Sequence, residues 1–172
     1  MQNYSSSYMN LSEEQKQVVN NVAMEMAKKY TEASVEEKDV LLKYCFDTLR
    51  PSMTAIISQI DPVNLGDYSR LMVSIALDAV ACDGSASFLE SVAIQKIVSI
   101  AGGSATLQSV QSTVERCARE GSSKAKSNLI YVSSLLEPSM RGIFVSYVLT
   151  VCSYDNEFNN LELSTIVNIL AP

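Results

Sequence analysis

The chain is 172 residues long, 47% hydrophobic and 19% charged, with few glycines and prolines, a balance that excludes a disordered or fibrous protein and suits one compact fold. Its net charge of −6 argues against a large basic footprint for nucleic acid or an anionic membrane, because phosphate binding rests on clustered Lys and Arg. Histidine is absent, which removes Ser-His-Asp and Cys-His catalysis, HExxH zinc sites and carboxylate-histidine di-iron centres from consideration.

Residues 1 to 10 are polar, with Tyr4 and Tyr8 among Ser and Asn, and read as a loose arm without the basic flank or apolar core of a signal peptide. Ser12-x-x-Gln15 is a capping box that opens the first helix, and Val18, Val22, Met26 and Tyr30 lie on one face as its expected apolar stripe. Glu13 and Glu14 sit at the positive end of its dipole, Lys28 and Lys29 at the negative end. Ser34-x-x-Glu37 repeats the device. Leu42, Cys45, Phe46 and Leu49 supply the next stripe, and Pro51 predicts that this second helix ends near Arg50. Met53, Ile56, Ile57 and Ile60 then mark a short third segment, stopped by Asp61-Pro62. Residues 11 to 62 are thus expected to form an N-terminal helical extension, with Asn64 to Asp67 as its connection to the C-terminal two thirds of the chain.

The stretches from Tyr68 to Cys82 and from Met140 to Ser153 are apolar on nearly every side, which predicts two centrally buried helices packed on each other. Between them, Gly102-Gly103 breaks the chain and Ser104 is placed to cap a helix running to about Arg119. Gly121-Ser122-Ser123 opens another, with Leu129, Val132, Leu135 and Leu136 on its apolar face and Glu137-Pro138 at its end. Arg116, Arg119, Lys124 and Lys126 form the basic cluster, read either as a solvated corner or as a docking patch for an anionic partner. No strand alternation of useful length occurs, so the fold class is all-α. The longest apolar run, Ile143 to Cys152, is far shorter than the roughly 20 residues that span a bilayer. Cys45, Cys82, Cys117 and Cys152 lie far apart without a CxxC pair, as expected of buried thiols in a reducing cytoplasm.

The chain carries an internal repeat. Val73 to Val98 aligns with Val145 to Leu170, placing Asp155 under Asp83, Asn156 under Gly84 and Glu162 under Glu90. An alanine-rich apolar helix, an Asp-Gly turn and a glutamate seven places after the aspartate, here Ala79 to Glu90, resembles the turn found twice in tellurite-resistance TerB-like domains. The second copy, Val151 to Glu162, departs from it in having Asn156 for the glycine, the side chain that best tolerates a left-handed turn. The resemblance covers residues 63 to 172 and implies a duplicated helical bundle. It also implies that Asp83, Glu90, Asp155 and Glu162 hold a hard cation, Ca²⁺ or Mg²⁺, whose oxygen ligands need no histidine. The alternative stays beside it: Ser87-x-x-Glu90 and Asn159-x-x-Glu162 are capping patterns, and Asp83 and Asp155 are good turn residues. Asp78 lies upstream of the first turn, with Thr150 at the equivalent place in the second.

The function expected from this resemblance is a non-enzymatic, cytoplasmic stress-response or interaction module that takes a cation or a protein partner at its acidic turns. Two alternatives stand against it. One is an oligomerisation or protein-interaction domain without metal, docking through the first helix or the arm; the other is a metal-assisted hydrolase using the four acids.

Overall fold

The computed structural model describes residues 7–60, 67–82, 86–157 and 160–172, with the backbone alone for residues 122 and 160–162. Among the described residues the chain is all-α: a single 3-10 turn, Tyr8–Asn10, precedes α1 (Glu13–Glu32), α2 (Val35–Ile60), α3 (Tyr68–Ala81), α4 (Phe88–Ile100), α5 (Leu107–Glu120), α6 (Ser122–Leu135), α7 (Pro138–Cys152) and α8 (Asn160–Leu170).

Both N-terminal capping boxes form. Ser12 N–H donates to Gln15 Oε1 at 3.0 Å while its hydroxyl accepts from Gln15 N–H at 3.2 Å, and Ser34 and Glu37 exchange the same pair at 2.8 and 3.2 Å. The face that α1 buries matches the expected stripe only toward its C-terminal end, where Tyr30 is buried and Met26 packs against the core. Ala23, Ala27 and Tyr30 point inward, whereas Val18 and Val22 are 60% and 40% exposed. Small alanines on the inner face let α1 lie close against α8 and α7, and that approach outweighs the larger apolar area of the valines.

Pro51 does not end α2, which runs unbroken to Ile60. A proline inside a helix removes one N–H donor and crowds the carbonyl four residues back. Here packing offsets the loss. The Tyr68 hydroxyl donates to the Phe46 carbonyl, one residue before the Asp47 carbonyl that Pro51 leaves without its helical donor, and Arg50 lies over the Tyr68 ring at 4.7 Å. Leu42, Phe46, Leu49, Met53 and Ile57 make one continuous buried stripe across the proline, which stopping at Arg50 would break. A second departure concerns α5, which is capped by Thr106 instead of Ser104, with Ser109 N–H donating to Thr106 Oγ1 at 3.2 Å. Gln95 Nε2 donates to the Ala105 carbonyl at 3.0 Å and ties the preceding connection to α4.

The two apolar helices pack on each other as predicted, and α7 is the central member, touched by α1, α2, α3, α4 and α8. One hydrophobic cluster runs from Ala23 to Ile169, so helices of residues 11–62 and of 63–172 share a core. Tyr147 lies on α7 with no exposed surface, and its hydroxyl donates to the Met72 carbonyl of α3 at 2.7 Å. Tyr147→Phe removes that donor without changing the packing, and the expected loss is about 1–2 kcal/mol of unfolding free energy by urea denaturation. No helix among the described residues is long and apolar enough to cross a membrane.

Candidate functional site

The first repeated turn contributes one described candidate ligand, because Asp83 lies outside the described residues. Glu90 is 3% exposed and closes a capping box at the start of α4. Its Oε1 accepts from Ser87 N–H at 3.0 Å, while its own N–H donates to Ser87 Oγ at 3.1 Å. One carboxylate oxygen is therefore engaged in starting the helix, the role that the Ser-x-x-Glu spacing offers on its own.

The second turn is built at the end of α7. Ser153 N–H donates to Leu149 O at 2.9 Å and Asn156 N–H to Ser153 O at 2.9 Å, which turns the chain out of the helix. Asn156 takes φ +61°, the left-handed conformation that its position under Gly84 anticipates. Asp155 Oδ1 accepts from Glu157 N–H at 3.0 Å, an Asx turn. The Glu162 side chain, like Asp83, lies outside the described residues, so of the four predicted acids the structure describes the side chains of Glu90 and Asp155.

A lysine from α2 meets the second turn. Lys38 has no exposed surface, and its ammonium donates to Ser153 O at 2.5 Å and to Asn156 Oδ1 at 2.9 Å, with the Asp155 charge nearby. A main-chain carbonyl, an amide oxygen and a carboxylate are the donor types a hard cation asks for, and here a built-in cation takes the first two with the carboxylate near it. Burial pushes the Lys38 pKa down from its ordinary value, with Asp155 opposing that shift.

The next residue, Asp39, extends the clasp. Its Oδ2 accepts from Lys96 Nζ of α4 at 2.7 Å and its Oδ1 from the Tyr154 hydroxyl at 2.9 Å, while Lys96 sits 5.3 Å from the centre of the Tyr154 ring. Tyr154 is 1% exposed, and burial raises its pKa. The Ser34–Glu37 capping box sets where α2 begins and so aims Lys38 and Asp39 at the turn. The result is a polar corner joining α2, α4 and the end of α7.

Asp78, on α3, faces α6. Asn128 Nδ2 donates to Asp78 Oδ2 at 3.4 Å, and the buried Asn128 Oδ1 has no hydrogen-bond partner among the described residues. Burial pushes the Asp78 carboxyl up to about 7, with the Asn128 hydrogen bond and the Lys124 charge only partly opposing it. Its counterpart Thr150 is buried and returns its hydroxyl to Ser146 O at 2.6 Å.

Among the described residues no three of Cys, Asp and Glu converge as a metal-binding group. Sequence reasoning singled out the acids of the turns and missed Lys38, Asp39, Lys96 and Tyr154. One signal was available: Lys38 closes the first turn of α2, where the helix dipole disfavours a cation, so a lysine there needs a tertiary reason. No family model matches the chain, and no curated protein or solved structure matches it either.

Proposed function

We propose that this chain is a non-enzymatic protein-interaction module of TerB-like character whose second corner is closed by Lys38 and whose binding surface lies on its N-terminal helices. The observation that carries the reading is the exposure of apolar side chains on α1 and α2, among them Val18 at 60%, Val22 at 40%, Val40 at 69% and Tyr44 at 55%. With Met24 and Val35, six of the nine large apolar side chains exposed among the described residues lie on these two helices, and exposed apolar surface concentrated in this way is characteristic of association surfaces. The Lys38 clasp supports the same reading from the other side, because its ammonium neutralises the second corner without an added ion. The stress-response setting implied by the resemblance belongs to this proposal and rests on the sequence motif.

The test places a photo-crosslinking amino acid at Val40, or at the exposed Gln108 of α5 as a control, in the full chain in its native cell. A discrete adduct with another protein from position 40 and none from position 108 is expected. Equal, diffuse labelling at both positions would overturn the reading. Calorimetric titration with Ca²⁺, Mg²⁺ and Mn²⁺ tests the corner separately: wild type and Asp155→Asn should give the same isotherm, and cation uptake abolished by Asp155→Asn would contradict the internal closure.

A further inference from the structure

Consecutive helices ordinarily pack together, yet α1 and α2 diverge from the two-residue turn at Ala33-Ser34 and barely touch. Each is held by other elements, α1 by α8 and α7, α2 chiefly by α7. The divergence leaves a cleft of about 870 Å³ whose apolar part is Tyr30, Ala33, Val40 and Leu41. On α1, Val22 continues the row that enters the cleft at Glu25, Lys29 and Glu32; on α2, Tyr44 continues the row of Glu36 and Val40. From Val22 to Glu32 the α1 row alone is about 15 Å long at ~1.5 Å per residue, nearly three turns of helix.

The rim carries four carboxylates, Glu25, Glu32, Glu36 and Glu37, against the two ammonium groups of Lys28 and Lys29. Among the described residues Glu25, Glu32 and Glu36 enter no ion pair. A second copy of this chain, docked by twofold symmetry, would bring the same acidic rim against itself, and an anionic membrane would meet the same repulsion. Two helices splayed around an apolar floor, with acids at the edges, are complementary to a third helix that has an apolar face flanked by Lys and Arg.

We propose that the α1–α2 cleft docks a basic amphipathic helix of a partner protein, Val40 and Leu41 meeting its apolar face and Glu32 and Glu36 its basic flanks. This rests on the interaction-module reading and specifies the partner's chemistry. The probe is a fluorescent Leu/Lys amphipathic helix of about 18 residues, roughly 27 Å long, titrated with the full chain and followed by anisotropy. A Leu/Glu peptide of the same pattern and vesicles of anionic lipid serve as competitors.

Saturable binding is expected, weakened about tenfold or more by Val40→Arg and by Glu32→Gln with Glu36→Gln. Added salt should weaken it, and Phe88→Arg, a change at an exposed apolar residue on another helix, should not. Equal binding to wild type and Val40→Arg, or no binding of the Leu/Lys peptide, would overturn the proposal. Val40-dependent binding of the Leu/Glu peptide in preference to the Leu/Lys one, or Val40-dependent recruitment to vesicles, would also overturn the basic-helix assignment; the former would leave the interaction reading standing. Circular dichroism of each variant confirms that a loss of binding is not a loss of fold.

Discussion

Lys38→Met should lower the unfolding free energy by about 2–4 kcal/mol at neutral pH, measured by urea denaturation against wild type. Methionine keeps most of the stem and its packing, so the effect isolates the ammonium. Its removal leaves Asn156 Oδ1 without the donor at 2.9 Å, takes one of two donors from Ser153 O, and strips Asp155 of its nearby cation. Asn156 also loses the anchor that holds it at φ +61°. The gain from burying a neutral side chain works the other way, which is why the loss is smaller than the full cost of orphaning a buried charge. The pH dependence has a definite sign. The native lysine releases its proton below the 10.5 of an unfolded one, so between the lowered native value and 10.5 the unfolded chain binds more protons and the Lys38 term gains stability as pH rises. A loss under about 0.5 kcal/mol, the range of an ordinary surface substitution, would mean that the turn does not depend on the clasp.

Asp78→Asn should stabilise the protein above neutrality and flatten its pH profile. The carboxyl stands at about 7 in the native state against 3.8 for the free group, chiefly because it is buried between α3 and α6. The native state therefore binds more protons across that window. The stability tied to Asp78 is complete below about pH 4 and is lost as pH rises through about 7. At roughly 1.4 kcal/mol per pKa unit, the whole difference is about 4 kcal/mol. An amide carries no charge to desolvate and can pair with Asn128, so the variant should exceed wild type by about 2–4 kcal/mol at pH 8 and by little at pH 4. Urea titrations at the two pH values decide this; parallel profiles for the two proteins would show that Asp78 is solvated.

Local rules made much of the architecture legible. The capping boxes at Ser12, Ser34 and Ser87 form as their spacing dictates, because a cap is satisfied within four residues and needs nothing from the rest of the chain. The all-round apolar character of α3 and α7 put them at the centre, and Asn156 adopted the left-handed turn. What was hidden depends on distant partners. The continuity of α2 through Pro51 is supported by the buried stripe from Leu42 to Ile57, which packs chiefly on α7, and the outward turn of Val18 and Val22 comes from how α1 lies on α8 and α7. The site shows the same division: the acids of the turns stand out in the repeat, but the lysine that meets Ser153 comes from 115 residues earlier, a pairing no local pattern encodes.

The central claim, that the ammonium of Lys38 is the internal cation of the second corner, is tested most directly by ¹⁵N NMR of the lysine side chains. A Lys38 Nζ signal protected from solvent exchange at neutral pH, coupled through its hydrogen bond to the Ser153 carbonyl and titrating below 10.5, is expected. A Lys38 ammonium that exchanges freely with water and titrates at 10.5 or above would contradict it.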